Sequence, residues 1–346
     1  MKKSIGIIFG GCSSEYPVSL HSSYSVIKNL DENKYDKHLI GITKDGSWFY
    51  FQGDVEAINC DTWQNGNVKK AFLSPDRENK GLWIPEENRL IHLDVVFPVL
   101  HGKNGEDGSV QGLLQLAGIP VVGCGMEASV LCMDKFIAHR IVNDVGIKTP
   151  RNILLREWDT IENRVEEILS LQLPLYVKPI KAGSSLGMTK VHKENELMAA
   201  IEEAFKFDNQ VLCEENIEGF EVGCAVLGND ELMVSPVDEI ELFVDWFDYG
   251  EKYSQEKSII HMPARIDEDL AEKVRYTAAE AYRALCCRGY ARVDIFIKTS
   301  GEKPEVLFNE INTIPGLTDV SRFPSMVQAM GIDYRKLLDK LIELAV

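Results

Sequence analysis

The chain has 346 residues, 45% hydrophobic and 26% charged, a length that calls for two or three packed units instead of one small core. Asp plus Glu at 54 outnumber Lys plus Arg at 37, for a formal charge of −17. That balance argues against a nucleic-acid groove or an anionic membrane surface as the main partner, but leaves room for phosphate ligands, which need only a few local cations.

IGIIF (5–9), the glycine pair Gly10-Gly11 and the amphipathic VSLHSSYSVIKNL read as strand, turn and helix. The start is too short in apolar residues for a secretory core of roughly 7–15. No run approaches the roughly 18 residues of a spanning helix. KHLIGIT, SWFYF and LDVVFPVL follow as strands, then SVQGLLQLAG as a helix stopped near Gly118 and a strand into Gly123. This alternation indicates an α/β unit of about 120 residues with a mostly parallel sheet. MEASVLCMDKFIAHRIVNDVGI reads as one helix ending at Gly146, and Lys148-Thr149-Pro150 as a hinge.

Beyond the hinge the pattern becomes α+β. YVKPIKAGSSLGMTKV brackets a Gly/Ser loop between strands, ENELMAAIEEAF is helical, and VLCEENI and EVGCAVLG are strands. The acidic, aromatic ELFVDWFDYGEKYSQEKS reads as a long loop, and long loops in compact domains tend to be functional. A helix over 267–286, the strand GYARVDIFIK, a turn at SGEK, the strand VLFNEIN and the helix DYRKLLDKLIELA complete the chain. The eight cysteines include no Cys-x-x-Cys pair and read as reduced thiols of a cytoplasmic protein.

Two strands carry polar residues two apart among apolar neighbours: Arg292 and Asp294 on one, Glu310 and Asn312 on the next. A turn near Ser300–Lys303 folds them into an antiparallel hairpin, and a register within one step sets Asp294 opposite Glu310. Paired carboxylates repel and are costly to bury unless a cation lies between them. Hard oxygen donors without His or Cys favour magnesium or manganese. The competing reading is a solvated hairpin edge.

GSSLG, five residues after Lys178, has small residues whose backbone N–H groups suit phosphate oxygens, with lysine supplying charge. It lacks the Gly-Lys-Ser/Thr ending of a P-loop, and a hairpin loop explains it equally well. GIIFGGCSSE lacks the dinucleotide fingerprint. Taken together, the loop, the lysines and the carboxylate pair point to ATP with magnesium.

GGCSSEYPVS (10–19), FPVLHGKNGEDGSVQGLLQLAGIPVVG (97–123), MDK (133–135), YVKPIKAGSSLGMTKV (176–191), ARVD (291–294) and NEINTIPG (309–316) resemble, in family order, the D-alanine:D-alanine ligases of the ATP-grasp enzymes. The resemblance covers essentially the whole chain. It implies an α/β and α+β architecture: an N-terminal α/β (pre-ATP-grasp) domain at 1–125, a central ATP-grasp subdomain at 126–220 and a C-terminal one at 221–346. It implies a cytoplasmic, homodimeric enzyme using ATP and two magnesium or manganese ions. One D-alanine carboxylate attacks the γ-phosphate, and the amine of a second D-residue displaces phosphate from the acyl phosphate.

Carried over by position, the resemblance gives Glu15 the ammonium of the first D-alanine, with Ser184 and Tyr253 completing its hydrogen-bonded set. His101 lines the same pocket. Lys135, Lys178, Lys252 and Ser185 bind phosphates. Glu214, Glu215 and Ile217 read adenine, and Glu221 holds the ribose. Asp294, Glu310 and Asn312 are the metal ligands, and Arg292 with the Gly316 backbone stabilises the tetrahedral intermediate. Residues 240–258 match the family's lid. Ser321 lies where the second substrate's carboxylate is held. Arg322 replaces the apolar residue, and Phe247 the tyrosine, usual in ligases that add a second D-alanine. Both departures resemble the D-alanine:D-serine ligases of vancomycin-resistance type, with Asp238 placed to orient Arg322. The alternatives are an ordinary D-alanine:D-alanine ligase of cell-wall synthesis, another ATP-grasp carboxylate–amine ligase, and a non-catalytic ATP-binding protein.

Overall fold

A computed structural model of the chain describes residues 2–183, 186–242 and 258–346. Ser184, Ser185, Phe247, Lys252 and Tyr253 lie outside the described residues. The first sheet runs in the order Val68–Lys70, Trp48–Phe51, Tyr35–Ile42, Lys3–Gly10, Val95–Pro98. Lys3–Gly10 pairs in parallel with both neighbours, and its last six residues are buried, as a strand covered on both faces must be. The two pairings that involve Trp48–Phe51 are antiparallel, so the sheet is parallel on one side and antiparallel on the other. The short connection 43–47 accounts for the first of these, between Tyr35–Ile42 and Trp48–Phe51, because a parallel neighbour needs a crossover of a dozen residues or more.

The strand expected before Gly123 reduces to a parallel bridge from Val121 to Val96. A small antiparallel sheet of Phe72–Leu73, Gly81–Ile84 and Arg89–His92, unforeseen from sequence, covers this unit's flank. The single helix expected to end at Gly146 is two, Met126–Met133 and Lys135–Asp144. Asp134 between them is extended (ψ 97°), and its carboxylate accepts the Ile137 N–H at 3.0 Å. Aspartate's preference for capping overrides the apolar periodicity that runs through it.

The second sheet, in the order Thr189–Val191, Leu175–Pro179, Gln210–Glu215, Asn152–Arg156, is wholly antiparallel, and its first two strands bracket the Gly/Ser loop. Helix Leu197–Phe205 seals one face through Leu197 and Ile201 against Leu175 and Val177. The third sheet runs Ser258–His261, Asp238–Leu242, Gly219–Gly228, Tyr290–Lys298, Glu305–Asn312, with Leu232–Val234 paired to Gly219–Gly228. The segment read as one long loop therefore begins and ends in paired strands. Helix Glu268–Ala284, capped by Asp267, covers this sheet.

Helices Arg322–Ala329 and Tyr334–Glu343 join the first and third sheets into one core, in which Leu20 and Phe97 pack with Tyr290, Phe323 and Leu341. All eight cysteines are free; Cys124, Cys132, Cys213, Cys224 and Cys287 are buried.

Candidate active site

The Tyr290–Lys298 and Glu305–Asn312 strands form the antiparallel hairpin expected from their turn, with Arg292 opposite Asn312 and Asp294 opposite Glu310. The register then slips, Ile295 facing Phe308, which leaves Asn309 as a bulge. On a regular strand Phe308 and Glu310 would share a face. The extra residue separates them: Phe308 and Ile311 both enter the core, while Glu310 and Asn312 turn to the cleft. His139 holds the bulge, donating from Nε2 to the Asn309 carbonyl at 2.8 Å and accepting at Nδ1 from Asn152 at 3.0 Å. Burial lowers the His139 pKa, so the ring stays neutral in that arrangement.

Asp294 is 2% exposed. Arg292 donates to it from Nε and Nη2 at 2.8 and 2.7 Å, Asn312 at 2.9 Å and Arg322 at 3.3 Å. Glu310 lies 3.4 Å from the Lys135 ammonium, which also donates to the Ala182 carbonyl at 3.1 Å. The break at Asp134 makes Lys135 the first residue of its helix, where it reaches this strand.

Arg322, its side chain 12% exposed, lies against the same sheet. It donates to Asp238 from Nε and Nη2 at 2.9 and 2.8 Å, and from Nη1 to Glu221 at 3.2 Å as well as to Asp294. Burial opposes its charge, but Asp294, Asp238 and Glu221 outweigh burial and raise its pKa above the ordinary arginine value. Asp238 is fully buried behind it. Ser321 opens the Arg322–Ala329 helix, and its hydroxyl accepts from the Thr318 N–H at 3.2 Å.

At the other end of the cleft, Lys178 donates to Glu214 at 2.6 Å, both side chains buried. The second Glu214 oxygen has no hydrogen-bond partner among the described residues. Glu215, by contrast, turns its carboxylate to Arg151, accepting from the backbone N–H at 2.8 Å and Nε at 2.9 Å, while its own N–H donates to the Arg151 carbonyl at 3.0 Å. Ile217 and Glu221 line the same wall.

Glu15 caps the entrance to helix Tyr16–Asn29, and its carboxylate lies between Gly102 and Gly183. A Cβ on either glycine would sit 2.5 or 2.7 Å from it, so both positions must stay bare for the carboxylate to be there. His101 is buried beside Ser22, and burial lowers its pKa, with Glu15 opposing. Glu106 accepts from the Gly102 N–H at 2.8 Å and the Ile314 N–H at 3.2 Å, tying the N-terminal unit to the loop that carries Gly316. Burial, then the Glu15 charge, push its pKa up to about 8.

One cleft of about 1860 Å³ gathers Glu15, His101, Lys135, Lys178, Glu214, Glu215, Ile217, Glu221, Arg292, Asp294, Glu310, Asn312, Gly316, Ser321 and Arg322. Asp238 stands behind that wall. The residues fit a nucleotide and a hard cation. An unpaired buried acceptor on Glu214 suits an exocyclic amine, Lys135 and Lys178 face the cleft, and Asp294, Glu310 and Asn312 bring oxygens into register, those of Asp294 being held here by Arg292, Asn312 and Arg322. Among the described residues no three His, Cys, Asp or Glu cluster as a metal site. The oxygen set relies on an amide and on ligand oxygens to complete it, as magnesium sites do.

Sequence reasoning missed Glu106 and His139. Glu106 stood in HGKNGED with only its neighbours' glycines as a signal. His139 looked like an ordinary helix residue.

A D-ala D-ala ligase N-terminus family model matches residues 4–124, and the corresponding C-terminus model matches 141–343. The solved VanG D-Ala:D-Ser ligase from Enterococcus faecalis is 48% identical with a TM-score of 0.91, each chain covered completely. Vancomycin C-type resistance protein VanC2 from Enterococcus casseliflavus is 42% identical over 99% of this chain and 98% of its own. A D-alanine–D-alanine ligase from Caldicellulosiruptor bescii is 41% identical over 100% and 95%. Such ligases use ATP and a divalent metal, generally Mg2+. Matched in both halves and aligned end to end with these enzymes, the chain belongs to the D-alanine–D-alanine ligase family and has its ATP-grasp fold.

Proposed function

We propose that this enzyme joins D-alanine to D-serine, making a D-Ala-D-Ser precursor of peptidoglycan in the cytoplasm, at the expense of ATP and with Mg2+ or Mn2+ held by Asp294, Glu310 and Asn312. Bound ATP would supply the phosphoryl group that activates the first carboxylate, and the metal would offset the charge on its phosphates. Lys135 and Lys178 offset phosphate charge, Glu214 accepts from adenine, and Glu221 accepts from ribose. Glu15 receives the ammonium of D-alanine beside a neutral His101. Arg292, already fixed in a bidentate pair with Asp294, presents its remaining N–H groups where negative charge develops on the attacked carbonyl. The Arg322–Ala329 helix turns its N-terminus and Ser321 to the cleft, a setting that favours the carboxylate of the second substrate.

The choice of D-serine rests on Arg322. The relative named for D-Ala:D-Ser is 48% identical to this chain and one named for D-alanine–D-alanine is 41% identical, so similarity alone does not choose between them. A guanidinium held by Asp238, Glu221 and Asp294 uses four N–H bonds and leaves one on Nη2 without a partner among the described residues. A serine hydroxyl can accept it, in a bond worth about 1.5–3 kcal/mol. The alanine methyl leaves it unpaired. Steady-state kinetics with each second substrate test this. D-serine should have the higher kcat/KM, and Arg322→Leu should lower the D-serine to D-alanine ratio about tenfold, the equivalent of ~1.4 kcal/mol. Equal efficiencies in the parent enzyme would remove the reading.

A further inference from the structure

Gly223 sits in the middle of the Gly219–Gly228 strand, paired with Asp238 on one side and Asp294 on the other. Its backbone is ordinary strand: Gly223 is not among the positive-φ glycines, whereas Gly228 is, at φ 128°. Gly219 is also accounted for by the backbone, since a Cβ there would fall 1.8 Å from the Ile297 carbonyl oxygen. A glycine inside a strand weakens it unless something must approach closely. At Gly223 the close neighbour is a side chain. A Cβ would lie 2.7 Å from Arg322 Nη2 and 3.1 Å from both Asp238 Oδ1 and Asp294 Oδ1.

We propose that Gly223 is a positioning residue for second-substrate choice: its missing side chain is the seat in which the Arg322 guanidinium lies flat between Asp238 and Asp294. The inference rests on the D-serine reading for its consequence but on sheet geometry for its cause. In-register carboxylates on either side of a bare strand position leave a slot one planar cation deep. Any larger residue lifts Arg322 off the sheet, lengthens its bonds to Asp238 and moves the Nη2 hydrogen away from the hydroxyl. The atom a Cβ would strike is the far end of a flexible side chain, so Gly223→Ala displaces the arginine without breaking the strand.

The experiment measures kcat/KM for D-serine and D-alanine in the parent, Gly223→Ala, Arg322→Leu and the double variant. Loss of folded enzyme lowers both efficiencies together and cancels in their ratio. Gly223→Ala should reduce the D-serine to D-alanine ratio about tenfold, because displacements near 1 Å cost up to ~100-fold. In the Arg322→Leu background the same change should leave the ratio where it was. An unaltered ratio in Gly223→Ala, or an equal effect with and without Arg322, would overturn the proposal.

A second measurement separates this from a failure of the D-serine reading. In ¹⁵N-arginine-labelled protein, the Nε–H signal that disappears in Arg322→Leu reports the bond to Asp238. Gly223→Ala should shift that signal or speed its exchange with water. If the parent prefers D-alanine but the signal moves, the seat stands and the D-serine reading falls. A signal unchanged by Gly223→Ala sinks the seat whatever the substrate.

Discussion

Asp294 accepts four hydrogen bonds from three side chains, Arg292, Asn312 and Arg322, while Glu310 across the hairpin is met by Lys135. Hydrogen bonds of this charged kind are the strong ones in proteins, and their density here keeps two opposed carboxylates in place. Glu106 is held differently, by two backbone N–H groups and near the Glu15 charge, with its pKa raised to about 8. Its unfolded pKa lies in the ordinary carboxylate range. Stability is therefore full below that range and is lost as pH rises, because the unfolded chain ionises first; above about pH 8 the loss stops growing. Replacing Glu106 by Gln removes the titration, and its altered hydrogen bonding does not vary with pH. The parent-minus-Glu106→Gln difference in Tm should fall between pH 5 and pH 8. A difference that stays flat would mean the carboxyl is ionised throughout.

Two irregularities of secondary structure place the functional groups. Asp134 divides an otherwise continuous apolar helix and starts a new one at Lys135; the Asn309 bulge turns Glu310 and Asn312 away from the face that holds Phe308. Asp134→Ala should cost about 1 kcal/mol as a lost cap and let the two helices merge, moving Lys135. Thermal unfolding should show the lower Tm, and the KM for ATP should rise severalfold; an unchanged KM would dissociate the cap from Lys135.

These same irregularities mark how far sequence could be read. Asp294 and Glu310 were legible because a turn fixes hairpin register to within a step, and the observed pairing lies within that range. The bulge was not, because it follows from which side chains the covering helix and His139 require inside. Asp134 hid in a run whose hydrophobic period continues through it. The three short strands over 72–92 gave too few residues for any period to show. Gly223 carried no signal of its own, since its meaning lies in an arginine nearly a hundred positions further along the chain.

At the scale of the whole molecule, the site exists only where the three sheets meet. Glu106 reaches Ile314, Leu317 donates to Ser22 at 3.3 Å, and Lys34 and Tyr35 both bond Asp339, so the N-terminal unit is fastened to the C-terminal one around the cleft. A formal charge of −17 coexists with Lys135, Lys178, Arg292 and Arg322 turned toward one cavity. Carboxylates line the same cavity, Glu15, Asp294 and Glu310 among them, so a negatively charged ligand there needs a bound cation as well as these side chains. No helix among the described residues is long and apolar enough to cross a membrane.

The most direct measurement offers D-alanine together with equal D-serine, ATP and Mg2+ in one vessel and separates the dipeptides formed. D-Ala-D-Ser should be the principal product, with phosphate released only when a D-amino acid pair and the metal are both present. A product that is mainly D-Ala-D-Ala would contradict the assignment of Arg322, and phosphate release without dipeptide would contradict the ligase chemistry itself.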